Sequence, residues 1–407
     1  MSTSREPAAT GARLVTMAPA EGLASVFIIA GEASGDWAGA LLARELRRAR
    51  PDLKLAGIGG RRMAGAGVDV RFDCARWGAI GLLEGLTKVP QVWGAMRAVK
   101  ALLITSPPSL LVLIDFGAFN VRVARLAHRR GVPILYYFPP GSWSHRLRNP
   151  EIRELSDVIA TPFPWSADLL AGGRAQVEWV GHPVRETARS RLTPDQAWEL
   201  YRLDRARPLV GIAPGSRSQE IHHLLPVLAD AAVRVSQAVP GVQFLMPIAP
   251  TVDRHRVDAE MKRVGLTPRL LSGMDYDALQ LCQAAMVCSG TATLEFCCLG
   301  IPMVIVYRTS RATTLQYRLF RGLLGGQRMA GMPNIIAGRE ICPERLGSGA
   351  TAEGIAGPVS EMLTNETKRN DLRRELLAVA EVLGEPGASA RTAALALALI
   401  DSRRPAQ

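Results

Sequence analysis

The sequence predicts an α/β protein built from two Rossmann-like, doubly wound domains, followed by C-terminal helices. Short apolar runs typical of buried strands alternate with amphipathic helical patterns, and this alternation occurs twice along the 407 residues. Strands that alternate with helices favour a parallel sheet with helices on both faces. The length also fits two domains, since one domain usually takes ~100–200 residues.

The first domain is expected over residues 24–190. It opens with the apolar strand Val26–Ala30, a Gly-rich turn, and a helix from about Asp36 to Ala49 with apolar residues at helical spacing. Further strands are predicted at Lys54–Ile58, Leu110–Ile114, Ile134–Tyr137 and Asp157–Thr161. The preceding residues 1–23 are small and polar and lack the apolar run of a signal peptide, so we expect a disordered tail there.

The second domain is expected over residues 207–346, after a junction at about 187–206 that begins charged and loop-rich. Its strands are predicted at Leu209–Ala213, Gln243–Pro247, Arg269–Leu271, Ala285–Cys288 and Met303–Tyr307. Residues 347–407 are expected to add one to three helices. In doubly wound folds ligands bind beyond the carboxyl ends of the strands, so we expect a cleft where the two sheets face each other.

Composition excludes several classes of protein. The net charge of +12 fits nucleic acid, an anionic membrane or a phosphorylated substrate. Only 5% of residues are aromatic and none alternate with basic runs, which makes nucleic acid the weakest of the three. The six cysteines have no zinc-like spacing and fit a reducing cytoplasm. The best apolar run, residues 101–114, contains two prolines and is shorter than the ~20 residues that a membrane span needs.

Polar residues follow predicted strands of the first domain. Asp115 ends the apolar strand Leu110–Ile114, and a desolvated carboxylate there would have a raised pKa and suit a general base. A helix cap is the alternative for Asp115. Glu32, Ser34 and Gly35 lie in the turn after the first strand, where a cap formed by Ser34 is the simplest interpretation. His182 lies at a strand end between the domains and is a further candidate for lining the cleft.

One turn of the second domain follows the strand Leu209–Ala213. Its residues Gly215, Ser216 and Arg217 suit a diphosphate, because glycine lets backbone amides converge and a guanidinium binds phosphate through its planar fork. An ordinary surface loop is the alternative interpretation.

A second turn, Ser289, Gly290 and Thr291, leads into a helix whose N-terminus would suit a phosphate. Glu295 lies one turn further on and is a candidate acceptor for ribose hydroxyls. A simple cap formed by Thr291 explains only part of this pattern, since every residue of the turn is small. Asn334, a polar residue in an apolar segment, is a weaker candidate for ligand or inter-domain hydrogen bonds.

Eight motifs in this order resemble those of the lipid-A-disaccharide synthase family, over about Val26–Leu346. They are AGEASGD at 30–36, GIGGRRM at 57–63, LIDFGAFN at 113–120, VGHP at 180–183, PGSRSQEI at 214–221, SGTATLE at 289–295, PMVIVYR at 302–308 and PNIIAGRE at 333–340. No single motif is decisive, but eight in register are highly specific.

The resemblance implies an inverting glycosyltransferase of the GT-B architecture that needs neither metal nor cofactor. The family transfers 2,3-diacylglucosamine from its UDP derivative to the 6-hydroxyl of 2,3-diacylglucosamine 1-phosphate, giving the disaccharide 1-phosphate and UDP. By motif, Asp115 matches an essential aspartate that would act as base. Arg217, the 289–295 turn with Glu295, and Asn334 match positions in or near the UDP site.

The resemblance also bears on partners and location. A diacylated acceptor resides in a bilayer, so we expect a cytoplasmic protein that docks on the inner membrane. The basic, leucine-rich segment Arg308–Arg328 would dock through an interfacial helix at about Arg311–Leu324. The second apolar segment, Trp77–Val92, would share the membrane role or seat the acyl chains. Packing of these leucines in a core or against a partner chain is the alternative. Family members include a dimer that exchanges its C-terminal segment, which suggests a homodimer here.

The chain departs from the family pattern in two places of the acceptor-side domain. Ala118 stands where a second acid is usual, and Pro139–His145 replaces the usual Ser-Pro-Ser-Val-Trp-Ala-Trp. The motifs therefore support the donor better than the acceptor. Another GT-B UDP-sugar transferase or an epimerase stays open. So does a non-catalytic nucleotide-sugar-binding relative, although retention of Asp115 and Arg217 argues against it.

One metal-like pattern is present. Asp275 and Asp277 match the D-x-D spacing of metal-using glycosyltransferases, but they open a predicted helix, where carboxylates favour the helix dipole. The six histidines form no ligand cluster. We therefore predict a helix start at this position rather than a metal site.

Overall fold

The computed structural model describes residues 24–74, 82–146, 150–249, 252–308 and 329–403, with only the backbone of 82–89. The chain divides into two compact units. The first unit contains the residues up to Pro183 and those from Glu385 onward, and the second unit contains Val184–Gly384. The expected tail at 1–23 and the expected basic helix Arg311–Leu324 lie outside the described residues.

The first unit is built on one parallel sheet. Its strands are β1 (Ser25–Ala30), β2 (Lys54–Gly59), β3 (Asp69–Asp73), β4 (Leu110–Ile114), β5 (Ile134–Tyr137), β6 (Val158–Thr161) and β7 (Gln176–Trp179). They pair in the order β3-β2-β1-β4-β5-β6-β7, so the chain winds outward from β1 in both directions. Every residue of β1, β4, β5 and β6 is buried, which explains their continuous apolar runs.

Helices cover this sheet. They are α1 (Ala33–Ala49), α2 (Arg61–Gly65), α3 (Leu82–Thr105), α4 (Gly117–His128), α5 (Ile152–Leu155) and α6 (Pro164–Leu170). The buried carboxylate of Asp36, in α1, accepts hydrogen bonds from the backbone amides of Gly60 at 2.6 Å and Met63 at 3.0 Å. Asp36 therefore satisfies the open amides at the start of α2.

The second unit repeats this plan. Its strands are β8 (Leu209–Ala213), β9 (Gln243–Ile248), β10 (Arg269–Ser272), β11 (Ala284–Cys288), β12 (Met303–Tyr307) and β13 (Glu344–Leu346). They form a parallel sheet in the order β10-β9-β8-β11-β12-β13. Its helices are α7 (Val184–Thr187), α8 (Pro194–Tyr201), α9 (Ser218–Ala238), α10 (Arg254–Arg263), α11 (Tyr276–Leu279), α12 (Thr291–Cys298), α13 (Met332–Ala337), α14 (Ala352–Thr364) and α15 (Glu366–Val382).

The last helix, α16 (Ala388–Ser402), belongs to the first unit and packs against α1. The Arg391 guanidinium donates to the carbonyl of Val180 at 2.7 Å, and Arg50 pairs with Asp401 through both carboxylate oxygens. The chain thus returns to the first unit at Glu385, whereas the sequence suggested only a separate helical stretch at 347–407.

The predicted fold class is confirmed: both units are Rossmann-like, with parallel sheets and alternating helices, and helices follow at the C-terminus. Among the helices that the structure describes, none combines the length and apolar character of a membrane span.

Candidate active site

Polar and aromatic residues line the carboxyl edge of the first sheet. Ala30, Ile114 and Tyr137, at the ends of β1, β4 and β5, stand in register across the three strands. The residues that follow these strand ends, Glu32 and Asp115 among them, therefore lie along one edge of the sheet. This is the position where doubly wound sheets bind ligands.

The backbone at Asp115 is unusual. Asp115 and Phe116 are consecutive non-glycine residues with left-handed φ angles of 46° and 51°. The Asp115 amide donates to the carbonyls of Tyr137 at 3.2 Å and Phe138 at 3.1 Å. Strained backbone of this kind is concentrated at functional sites. Because α4 begins after Phe116 without a side-chain cap, the alternative that Asp115 caps this helix is wrong.

The carboxylate of Asp115 is electrostatically perturbed. Asp115 is an exposed residue, yet the protein atoms packed around its carboxyl group and then the charge of Glu32 raise its pKa to about 6. The backbone amide of Phe116 opposes the rise through a hydrogen bond. A carboxylate with such a pKa is largely ionised near neutral pH and is a stronger base than an ordinary aspartate.

The N-terminus of α1 differs from the expectation. Its N-cap is Glu32, without a side-chain cap, and Ser34 is an exposed residue of the first turn, so the expected cap by Ser34 is wrong. A Cβ on Gly35 would lie 3.2 Å from the Cβ of Ala30, so glycine permits close packing of helix on strand. Packing thereby explains Gly35, whereas Ala33 and Ser34 are exposed. Glu32 is close enough to Asp115 for its charge to raise the pKa of that carboxyl group.

His182 lies among aromatic rings in the first unit. Its ring centroid is 5.2 Å from that of Phe138, 5.7 Å from Phe163 and 6.3 Å from Trp37. Burial lowers the pKa of His182 to about 3, so its imidazole is neutral at working pH. This ring offers packing and hydrogen bonding rather than positive charge.

The atypical segment Pro139–His145 is held by the same aromatic group. The Trp165 indole donates to the carbonyl of Ser142 at 3.1 Å, and the exposed His145 ring packs against Trp165 at a tilt, with centroids 4.5 Å apart. The Trp165 ring also stacks with the buried Phe163 ring, with centroids 4.8 Å apart. Sequence reasoning missed this ladder, because its rings come from two separate segments.

In the second unit, the turn after β8 is organised by Glu220. Its buried carboxylate accepts from the amides of Ser216 at 3.0 Å and Arg217 at 3.1 Å, and the Arg217 guanidinium approaches at 3.3 Å. Gly215, with a φ of 103°, allows this, since a Cβ there would lie 2.5 Å from the Glu220 carboxylate. These two amides are therefore already bonded to Glu220, and the partly exposed guanidinium of Arg217 is the group that can bind a phosphate.

The turn after β11 presents the N-terminus of α12. The N-cap is Gly290, with a φ of 146° and no side-chain cap, so the alternative of a cap by Thr291 is wrong. The Ser289 hydroxyl donates to the carbonyl of Ala330 at 2.7 Å. Glu295 accepts a hydrogen bond of 2.6 Å from the Tyr276 hydroxyl, which fixes its orientation. Tyr276 is a supporting residue that sequence reasoning missed.

Asn334 is fully buried and has its hydrogen bonds inside the protein. Its amide nitrogen donates to the carbonyl of Cys342 and to Glu344, both at 2.8 Å. Its oxygen accepts from the amides of Ile341 at 2.9 Å and Cys342 at 2.8 Å. The geometry gives Asn334 a structural role, so a UDP site does not rest on it.

The D-x-D pattern is a helix start, as predicted. Asp275 accepts from the amide of Ala278 and from the Tyr201 hydroxyl at 2.6 Å. Burial alone would raise the pKa of Asp277, but hydrogen bonds from Leu192, Ser190 and Arg191 outweigh it and lower the pKa. Within the described ranges, no group of three or more His, Cys, Asp or Glu residues is placed to hold a metal.

Solved structures of the same architecture define the class of fold. UDP-GlcNAc 2-epimerase from Neisseria meningitidis bound to UDP-GlcNAc matches with a TM-score of 0.60 and 11% identity, over 92% of this chain and 100% of that one. The calicheamicin glycosyltransferase CalG4 matches with a TM-score of 0.60 and 14% identity, over 94% of this chain and 100% of its own. The fold is therefore of the GT-B type.

The family model of lipid-A-disaccharide synthetase matches residues 26–397. The lipid-A-disaccharide synthase of Geobacter metallireducens is 36% identical over 380 residues, which cover 93% of this chain and 98% of the relative. That of Nitrosococcus oceani is 33% identical over 377 residues, 92% of this chain and 96% of the relative. The chain belongs to the lipid-A-disaccharide synthase family and is a glycosyltransferase.

Proposed function

We propose that the chain transfers 2,3-diacylglucosamine from its UDP derivative to the 6-hydroxyl of 2,3-diacylglucosamine 1-phosphate. The acceptor oxygen forms a bond to the anomeric carbon, the bond from that carbon to the diphosphate breaks, and UDP leaves with inversion. The products are the lipid A disaccharide 1-phosphate and UDP. Family membership over nearly the whole chain supports this reaction.

The observation that carries the proposal is the carboxylate of Asp115. Its pKa of about 6, at the carboxyl edge of the sheet, suits a base that takes the proton of the acceptor hydroxyl as the new bond forms. Glu32 contributes by raising this pKa and is assigned no proton transfer of its own. His182 stays neutral and helps to shape the surroundings.

The donor's UDP is assigned to the second unit. Arg217 would bind the diphosphate, and the N-terminus of α12 at Gly290 and Thr291 would bind the same group through amides and the helix dipole. Glu295, oriented by Tyr276, would accept from the ribose hydroxyls. Gly215, Ser216 and Ser289 shape these turns.

We also propose docking on the cytoplasmic face of the inner membrane. One face of α3 carries Trp93, Arg97, Lys100 and Ile104 at helical spacing, and all four are exposed, Trp93 at 61% and Ile104 at 47%. The Arg97 guanidinium lies 4.8 Å from the Trp93 ring. Exposed apolar side chains among basic ones are typical of a helix that binds an anionic membrane surface. A homodimer stays a prediction.

Mass spectrometry of the products tests the reaction. Purified protein is incubated with UDP-2,3-diacylglucosamine and 2,3-diacylglucosamine 1-phosphate in mixed micelles, and we expect a tetra-acyl disaccharide 1-phosphate together with UDP. Omission of the acceptor is the control, and it should leave the donor intact. Absence of the disaccharide, or conversion of the donor to an epimer, which has the same mass and is detected by ¹H NMR, would contradict the proposed reaction and favour another enzyme of the same fold.

A further inference from the structure

The backbone conformation at Asp115 needs a cause. Left-handed φ angles are unfavourable for residues with a Cβ, and Asp115 and Phe116 adopt them in succession. Such strain persists only where surrounding interactions fix it. The interactions that fix it are therefore part of what positions the Asp115 carboxylate.

Two side chains hold the backbone carbonyl of Asp115. The amide nitrogen of Asn120 donates to it at 2.8 Å and to the carbonyl of Ile114 at 3.1 Å. The Tyr136 hydroxyl donates to the same Asp115 carbonyl at 3.1 Å. Burial and then the charge of Asp115 raise the pKa of Tyr136 above its ordinary value, so this hydroxyl stays protonated and remains a donor.

Asn120 is an energetically unfavourable residue at a buried position of a helix. It is fully buried between Phe119 and Val121, and its side-chain oxygen has no hydrogen-bond partner among the described residues. An unsatisfied buried acceptor is destabilising, and an apolar residue would avoid it. The donation from its nitrogen to two consecutive carbonyls is the compensating contribution, and it acts at the strained turn.

We propose that Asn120, with the Tyr136 hydroxyl, is a positioning residue that holds the Asp115 carboxylate in its reactive place. The proposal rests on the proposed function, in which Asp115 is the base. Without the Asn120 amide the turn can relax toward ordinary φ angles. The carboxylate would then move away from its present position, where, among the described residues, the charge of Glu32 acts on Asp115 and the charge of Asp115 acts on Tyr136.

The test compares Asn120→Ala with the wild type by two measurements. The first is turnover, for which we expect kcat to fall about 10²-fold, as for a reacting group displaced by about 1 Å, with little change in the KM of the donor. The second is NMR titration of ¹³C-carboxyl-labelled aspartates, with Asp115→Asn to assign the signal. We expect the pKa of Asp115 to fall in Asn120→Ala toward that of an ordinary aspartate.

Thr392→Val is the matched control, because Thr392 is also fully buried in the first unit and donates one side-chain hydrogen bond, to Ala388. It should leave both measurements unchanged. An unchanged kcat or an unchanged titration in Asn120→Ala would overturn the proposal. If Asn120→Ala does not fold, Tyr136→Phe keeps the ring and must itself lower kcat several-fold and shift the titration, and no change in either would overturn it.

The two proposals fail in different ways. The titration measures positioning without any substrate, so it remains informative if the wild type makes no disaccharide. If the pKa of Asp115 falls in Asn120→Ala as expected but the wild type makes no disaccharide, the proposed reaction alone is refuted. Disaccharide formation with an unchanged titration would refute the positioning role alone.

Discussion

Replacement of Asp115 by asparagine should stabilise the protein while it removes the proposed base. The raised pKa means that the folded state holds the Asp115 proton more tightly than the unfolded chain. Between pH ~4 and ~6 the unfolded chain has lost this proton and the folded state still binds it, so the free energy of unfolding falls as pH rises. Asp115→Asn has no charge at this position, so its free energy of unfolding does not fall in this way as pH rises.

The size of the gain follows from the shift. A rise from 3.8 to about 6 corresponds to about 3 kcal/mol at ~1.36 kcal/mol per pKa unit. Asp115 is an exposed residue and solvent screening reduces the effect, so we expect about 1–2 kcal/mol above pH 6. The gain should shrink as pH falls and disappear below pH ~4, where both states are protonated.

Urea unfolding of the wild type and Asp115→Asn at pH 4.5 and 7.5 measures this gain. Asp52→Asn, in an exposed turn of the same unit, controls for the loss of one negative charge. The reasoning would be refuted if Asp115→Asn were less stable than the wild type at pH 7.5. A gain of equal size at both pH values would also refute it, since the cause would then not be ionisation.

Three further predictions concern the donor, the metal and the membrane. Arg217→Ala should weaken UDP binding by about 1.5–3 kcal/mol in calorimetric titration, as expected for a charge-assisted contact, and unchanged affinity would place the diphosphate elsewhere. Chelation by EDTA should leave turnover intact, because Asp275 and Asp277 bond to protein groups; loss of turnover that magnesium or manganese restores would contradict this. A Trp93→Ser, Arg97→Glu, Lys100→Glu variant should sediment less with anionic vesicles than the wild type, and the difference between the two proteins should be smaller in high salt. Equal sedimentation would remove α3 from the membrane surface.

The sequence predicted the central strands well, because β1, β4, β8 and β11 are buried along their whole length and read as continuous apolar runs. It missed the edge strands β3 and β13 and gave β7 no bounds beyond a strand end near His182, because the residues of these strands are mostly half-buried or exposed and their pattern is weak. The return of α16 to the first unit also leaves no local signal, since it depends on contacts across more than 200 residues, such as Arg391 with Val180.

The candidate site was predicted in part. Asp115 was identified from its place after an apolar strand, and that placement is a local property of the chain. The supporting residues were not identified, because Asn120, Tyr136 and Glu220 act through hydrogen bonds to backbone groups that only the folded turns bring near. For the same reason Asn334 could not be recognised as a residue that is fully engaged within its own unit.

The pH dependence of kcat/KM, in the wild type and in Asp115→Asn, tests most directly whether Asp115 is the base. A base must be ionised to accept a proton, so wild-type kcat/KM, which reports the pKa of the substrate-free protein, should rise with pH through an apparent pKa near 6 and then stay level. Asp115→Asn should lose this pH-dependent rise, with kcat/KM lower by ~10²–10⁴ on the level part of the profile. Near-normal turnover by a folded Asp115→Asn protein, with the same rise near pH 6, would contradict the account.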